Sequence, residues 1–256
     1  MNLYKIVGLY LWIAPHVLLA VVAVLMIRKK LFTEFPIFLS YALFEVAQCA
    51  VLVTLTFMSS VSAQQYFYAH LVSTIISTAL RFGVISEIFQ NVFRNYSALS
   101  GLGKVLLKWA TALLMLVGAV AAAYASSSSL DRVLATLYVS GLAMNLVQCG
   151  LLLLLFIFSR SFGLSWRNYV FGIALGLGLY SAIELVNTTV QSQFGPVLTQ
   201  GNIQFLNLLL MGTYHAAVLV WIAYLLAPEP ALINLKAVPA NDLEGWNHEL
   251  ERLLQQ

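Results

Sequence analysis

Six stretches of this chain, and a seventh broken by Pro15, are each long and apolar enough to cross a bilayer. A spanning helix needs about 20 mostly apolar residues. The stretches fall at residues 4–26, 35–58, 66–89, 105–125, 133–158, 168–190 and 203–227. The expectation is an all-α polytopic membrane protein with seven transmembrane helices. One membrane domain covers residues 1–227, and a cytoplasmic tail follows at 228–256.

Composition excludes the main soluble classes. The 256 residues are 61% hydrophobic and 9% charged, with a mean hydropathy of +0.88. A soluble domain carries roughly 25% charged residues. No room is left for a soluble enzyme domain, and the net charge of +3 gives no reason to expect a nucleic-acid partner.

Lys and Arg are unevenly shared between the loops. Arg28, Lys29, Lys30, Arg94, Lys104, Lys108, Arg160, Arg167, Lys236 and Arg252 fall on one side, and only Lys5 and Arg132 on the other. The basic side is expected to be cytoplasmic, which puts the N-terminus outside and the C-terminus inside, in a plasma membrane or bacterial inner membrane. The first stretch is too long for the core of a signal peptide and is expected to be retained. Cys49 and Cys149 both lie within spans and read as small apolar fillers. No cysteine spacing suggests a metal site.

The fourth span is polar-poor and has a small face at Gly118 and Ala122. It separates two sets of three spans, a pattern compatible with a three-plus-one-plus-three arrangement. The second span reads Tyr41-x-x-x-Glu45-x-x-Gln48 and the sixth reads Tyr180-x-x-x-Glu184-x-x-Asn187. The two glutamates differ in expected depth by roughly 10 Å at 1.5 Å per residue, so coincidence rivals repetition. Beyond Pro228 and Pro230, Leu243, Trp246, Leu250, Leu253 and Leu254 recur at helical spacing. This short amphipathic helix is acidic, which favours packing on the protein itself or on a cytoplasmic partner over deep lipid insertion.

Polar groups inside the spans are the candidate site. A charge at the centre of a spanning helix costs about 2.5–3.5 kcal/mol on insertion scales. Glu45, Arg81 and Glu184 all fall inside spans, with His16, His70, His215, Gln48, Gln148, Asn145, Asn187 and Asn207. They are expected to face inward. His70, Ser73, Ser77 and Arg81 share one helix face, and Tyr41, Glu45 and Gln48 share another. Depth sorts the group into a midplane layer (His16, Glu45, Arg81, Asn145, His215) and an outer layer (His70, Glu184, Asn187, Asn207). Glu45 with Arg81, and Glu184 with His70, are the expected ion pairs. Interhelical glue is the plain alternative, but its hydrogen bonds average about 0.6 kcal/mol and do not offset a buried charge.

The functional expectation is a midplane cavity binding a small polar or anionic solute, as in a carrier. Its ligand-binding residues are Arg81, Glu45, Tyr41, Gln48, His16, His215, Asn145, Glu184 and His70, with Arg81 as anchor. A sensor signalling through the tail is the alternative. A metalloenzyme or haem protein is a second alternative, in which His16, His215 and Glu45 supply ligands. No cofactor is expected under the first two. Pro15 frees the carbonyl of Leu11 beside His16, which reads either as a gate or as a tolerated kink. The seventh span holds no lysine, which excludes a retinal Schiff base there, and no Asn-Pro-x-x-Tyr or Pro-Gln motif occurs.

Overall fold

The computed structural model describes residues 3–58, 61–93, 129–158, 168–194 and 197–227, with single positions of the 105–120 segment. Six long helices are described: α1 (Leu3–Arg28), α2 (Pro36–Phe57), α3 (Ala63–Phe93), α4 (Ser129–Phe158), α5 (Tyr169–Phe194) and α6 (Gln200–Leu226). They match the first, second, third, fifth, sixth and seventh expected spans within a few residues. All except α4 contain a stretch long and apolar enough to cross a membrane, making five among the described residues. The apolar stretch in α4, Gly141–Ile157, is shorter. In the fourth segment the described positions, such as Lys108, Trp109 and Ala110, are helical. Gly118, Ala122 and the acidic tail helix lie outside the described residues.

Helices next to each other in sequence pack on each other, and α1 closes the circle against α6. The ring runs α1, α2, α3, α5, α6, with a sparser seam between α3 and α5. α4 covers that seam from outside, packing on both. Its buried stripe is Met144, Asn145, Gln148, Leu151, Leu152 and Leu155, while Leu146, Leu153 and Ile157 face out. α1 likewise exposes Val17, Val21, Val24 and Ile27. Water would penalise so much exposed apolar surface, whereas lipid does not. The pairings run in chain order and mark out no two separate bundles of three among the described residues.

The core occupies one half of the ring. Leu19, Val22 and Met26 end α1, and Phe35, Phe38 and Ala42 lie at the start of α2. Val84 and Ile88 from α3, Ile173 and Leu177 from α5, and Val218 and Trp221 from α6 complete it. Two glycines bring α5 and α6 together. A Cβ on Gly176 would lie 2.2 Å from Trp221 Nε1, and one on Gly172 would lie 2.3 Å from the Tyr224 ring. Only glycine permits that approach, and Trp221 Nε1 donates to the Ile173 carbonyl at 3.2 Å.

α2 starts without a Ser, Thr, Asp or Asn cap. Pro36 sits in its first turn and Phe35 precedes it. The exposed donors are met from another helix: Ile37 N donates to Glu87 Oε1 at 2.8 Å and Phe38 N to Glu87 Oε2 at 2.9 Å. Glu87 is therefore a fourth in-span charge beyond the three expected, and its work is to cap α2. The preceding turn carries Lys30 at φ 57°, the one non-glycine residue with positive φ among those described.

Candidate functional site

The other half of the ring encloses a cavity of about 370 Å³. α1 contributes Leu11, Trp12 and His16; α2 contributes Tyr41, Glu45 and Gln48. α3 adds His70, Thr74, Ser77 and Arg81, α5 adds Tyr180 and Glu184, and α6 adds Leu210, Met211 and Tyr214. Its floor is aromatic. Tyr41 rests on Phe38 and Trp221, with ring centroids 6.5 and 6.3 Å away, and Phe38 meets Trp221 edge-on at 5.1 Å. His70 and Thr74 are exposed, so the cavity reaches the surface of α3 at the end where α1 begins.

Seven of the nine expected ligand residues line this cavity: Arg81, Glu45, Tyr41, Gln48, His16, Glu184 and His70. Their pairing differs from expectation. Arg81 Nη1 donates to Glu184 Oε2 at 2.6 Å, joining α3 to α5. The guanidinium also lies over the Tyr180 ring, 5.4 Å from its centroid. Glu45 instead accepts from neutral groups: the Ser77 hydroxyl on Oε1, and Gln48 Nε2 on Oε2 at 2.6 Å. The expected Glu45–Arg81 pair is therefore replaced by Arg81–Glu184. Among the described residues no ion pair joins Glu184 to His70. The two-layer depth scheme fails for the same reason, since it puts Arg81 and Glu184 in different layers. Straight helices counted from one end ignore tilt and the reach of an arginine side chain.

His16 is fixed by its own helix. Nδ1 lies 2.8 Å from the Trp12 carbonyl, which only accepts, so Nδ1 carries the hydrogen. Nε2 then faces Glu45 Oε2 at 4.0 Å, beyond hydrogen-bond range. The ring leans on Tyr214, with centroids 5.6 Å apart. α1 continues as a helix through Pro15.

The remaining two expected residues lie elsewhere. His215 follows Tyr214, and a step of about 100° around a helix of 3.6 residues per turn carries it away from the cavity. It meets Tyr10 at 5.7 Å, and its Nδ1 is buried without a hydrogen-bond partner. Asn145 is buried on α4, outside the ring. The trio of His16, Glu45 and His215 therefore does not converge, and no group of three potential metal ligands gathers among the described residues.

Polar and aromatic lining residues beyond the expected ligand set are Trp12, Thr74, Ser77, Tyr180 and Tyr214, of which Ser77 and Tyr180 fall in the sequence patterns described above. Aromatic and hydroxyl side chains are ordinary in membrane helices, so their type alone carries no signal. Tyr180 has one, its position four residues before an in-span glutamate.

Two buried polar atoms at the cavity make no hydrogen bond: Arg81 Nε and Gln48 Oε1. Buried polar groups are nearly always paired, so such atoms call for a partner from outside the chain. No family model matches this sequence, and no curated protein or solved structure matches it. The fold defines the class on its own: a helical integral membrane protein with a polar cavity inside its helix ring.

Proposed function

We propose that this protein is a membrane carrier that binds a small polar solute in the cavity between α1, α2, α3, α5 and α6. The observation that carries the reading is the cavity of about 370 Å³ bearing three charged side chains and unpaired polar atoms. That volume is near the lower end of the roughly 300–1,000 Å³ typical of ligand sites. Structural glue would leave no space between the groups it joins. Solute-sized space with unmet hydrogen-bonding groups is what a binding site requires. With the orientation expected from the loop charges, the cavity faces outside, and the apolar half beneath it closes the path to the cytoplasm. Solute release then requires the ring to reopen at the apolar half, the alternating access expected of carriers.

The arrangement does not favour Arg81 as an anchor for anions, because Glu184 already neutralises it. The sensor reading rests on the tail, which lies outside the described residues, and has no comparable support.

The test is uptake by proteoliposomes of a solute panel spanning cations, anions, zwitterions and neutral polyols. Thr74→Trp fills the cavity from an exposed position. It should reduce uptake at least tenfold while leaving the melting temperature in detergent unchanged. Failure of every solute to enter, or unchanged uptake in Thr74→Trp, would overturn the reading.

A further inference from the structure

We infer that the solute is a small organic ammonium compound carrying an oxygen acceptor, held with its cationic group against Glu45. The inference rests on the carrier reading and names its substrate class.

Charge balance is the first ground. The cavity holds two carboxylates, Glu45 and Glu184, and one guanidinium, Arg81. Arg81 is committed to Glu184 at 2.6 Å, which leaves Glu45 as the cavity carboxylate without a guanidinium partner. The Glu45 side chain is 7% exposed, and its carboxylate accepts only from the neutral groups of Ser77 and Gln48. The nearest group able to become cationic is His16 Nε2, 4.0 Å away. Burial disfavours the charged form of a carboxylate unless a cation joins it, and a ligand ammonium is a group that would hold Glu45 ionised.

The unpaired atoms give the second ground. Gln48 Oε1 is a buried acceptor without a donor, further along the face that carries Glu45. Glu45 and Gln48 together present oxygen acceptors to an ammonium group. Arg81 Nε is a buried donor without an acceptor, on a side chain that is itself 8% exposed. It asks for a hydroxyl, carbonyl or carboxyl oxygen on the same ligand. Lining aromatics supply the third ground. Trp12, Tyr41 and Tyr214 surround the acceptors, and aromatic faces attract ammonium groups, methylated ones included. An anion would meet Glu45 and the electron-rich ring faces, and would have to displace Glu184 from Arg81.

Isothermal titration calorimetry on the full chain in detergent decides it. The probes are ethanolamine and choline, lactate as a hydroxylated anion, and erythritol as a neutral polyol. Ethanolamine or choline should bind, and lactate and erythritol should not compete. Glu45→Gln keeps the side chain's size and should weaken binding at least tenfold. Should that variant not fold, competition among the four probes on the wild-type chain still separates the solute classes. Binding or uptake of lactate or erythritol in preference to the ammonium probes would overturn the inference and leave the carrier reading standing. Equal ammonium binding in Glu45→Gln would overturn it too. If none of the four binds, the inference fails, and the broader uptake panel separately decides the carrier reading.

Discussion

The same five helices build two unlike halves. Where α1 ends and α2 begins, Phe38, Trp221, Leu19 and Val218 are almost wholly buried and fill the ring. Where α1 begins, the ring stands open around Glu45, Arg81 and Glu184. In the filled half, close approach is won by glycine: Gly172 and Gly176 admit Tyr224 and Trp221. In the open half, contact is made by long polar side chains: Arg81 reaches Glu184, and Gln148 of α4 donates to Ser181. A membrane protein gains little from burying apolar side chains in apolar surroundings, so packing fit and hydrogen bonds hold both halves. Among the described residues no unmet buried polar atom lies in the filled half, where Glu87 caps α2. The open half leaves Arg81 Nε and Gln48 Oε1 unmet, the mark of a site kept for a ligand.

Four sets of substitutions can break or sharpen that contrast, each read as thermal unfolding in detergent. The largest effect belongs to the open half. Arg81→Met strands Glu184 in a low-dielectric setting and should cost about 3–5 kcal/mol. Adding Glu184→Met should recover most of the loss. A single variant as stable as wild type would mean the ion pair does not hold α3 to α5.

Next comes the cap in the filled half. Glu87→Ala removes the acceptor of one buried and one part-buried N–H group and should cost about 2–3 kcal/mol. Glu87→Gln keeps one carbonyl oxygen and should lose about half as much. Equal losses for the two would show that the site is lost as a whole and not bond by bond.

Gly176→Ala forces a methyl group onto Trp221 and should cost about 1–3 kcal/mol. Gly141→Ala on α4 meets nothing within 4 Å and should instead be neutral or stabilising by about 0.5–1 kcal/mol. Should both behave alike, close packing is not what seals the filled half.

The smallest effect is in the turn. Lys30 holds a left-handed conformation at φ 57° and ψ 23°. Lys30→Gly should stabilise by about 1 kcal/mol. A loss there would point to a contact of the lysine side chain outweighing backbone strain.

Much of the site is readable in the sequence because a charge inside an apolar run is anomalous. Glu45, Arg81 and Glu184 stand out for that reason alone, and all three line the cavity. Partner choice is not readable. Ser77 and Arg81 lie four residues apart on one face of α3, yet one bonds α2 and the other α5. Which neighbour each meets depends on the rotation and tilt of three helices, which no single helix encodes. Glu87 does have a signal: a helix opening on Phe35-Pro36 has no capping side chain of its own, so a donor-hungry end must borrow one. Tyr214 has none, and His215 beside it is the more conspicuous residue.

The sequence by itself determined that the chain is a helical membrane protein, and which few polar residues lie within its helices. Both follow from transfer energy, which is a property of each residue and its near neighbours. Only the tertiary structure decided that Arg81 is neutralised by Glu184 and that Glu45 is left facing the cavity without a cation. A hydrogen-bonded ion pair needs its atoms within about 3 Å, so which carboxylate Arg81 holds depends on positions that exist only once the helices have packed.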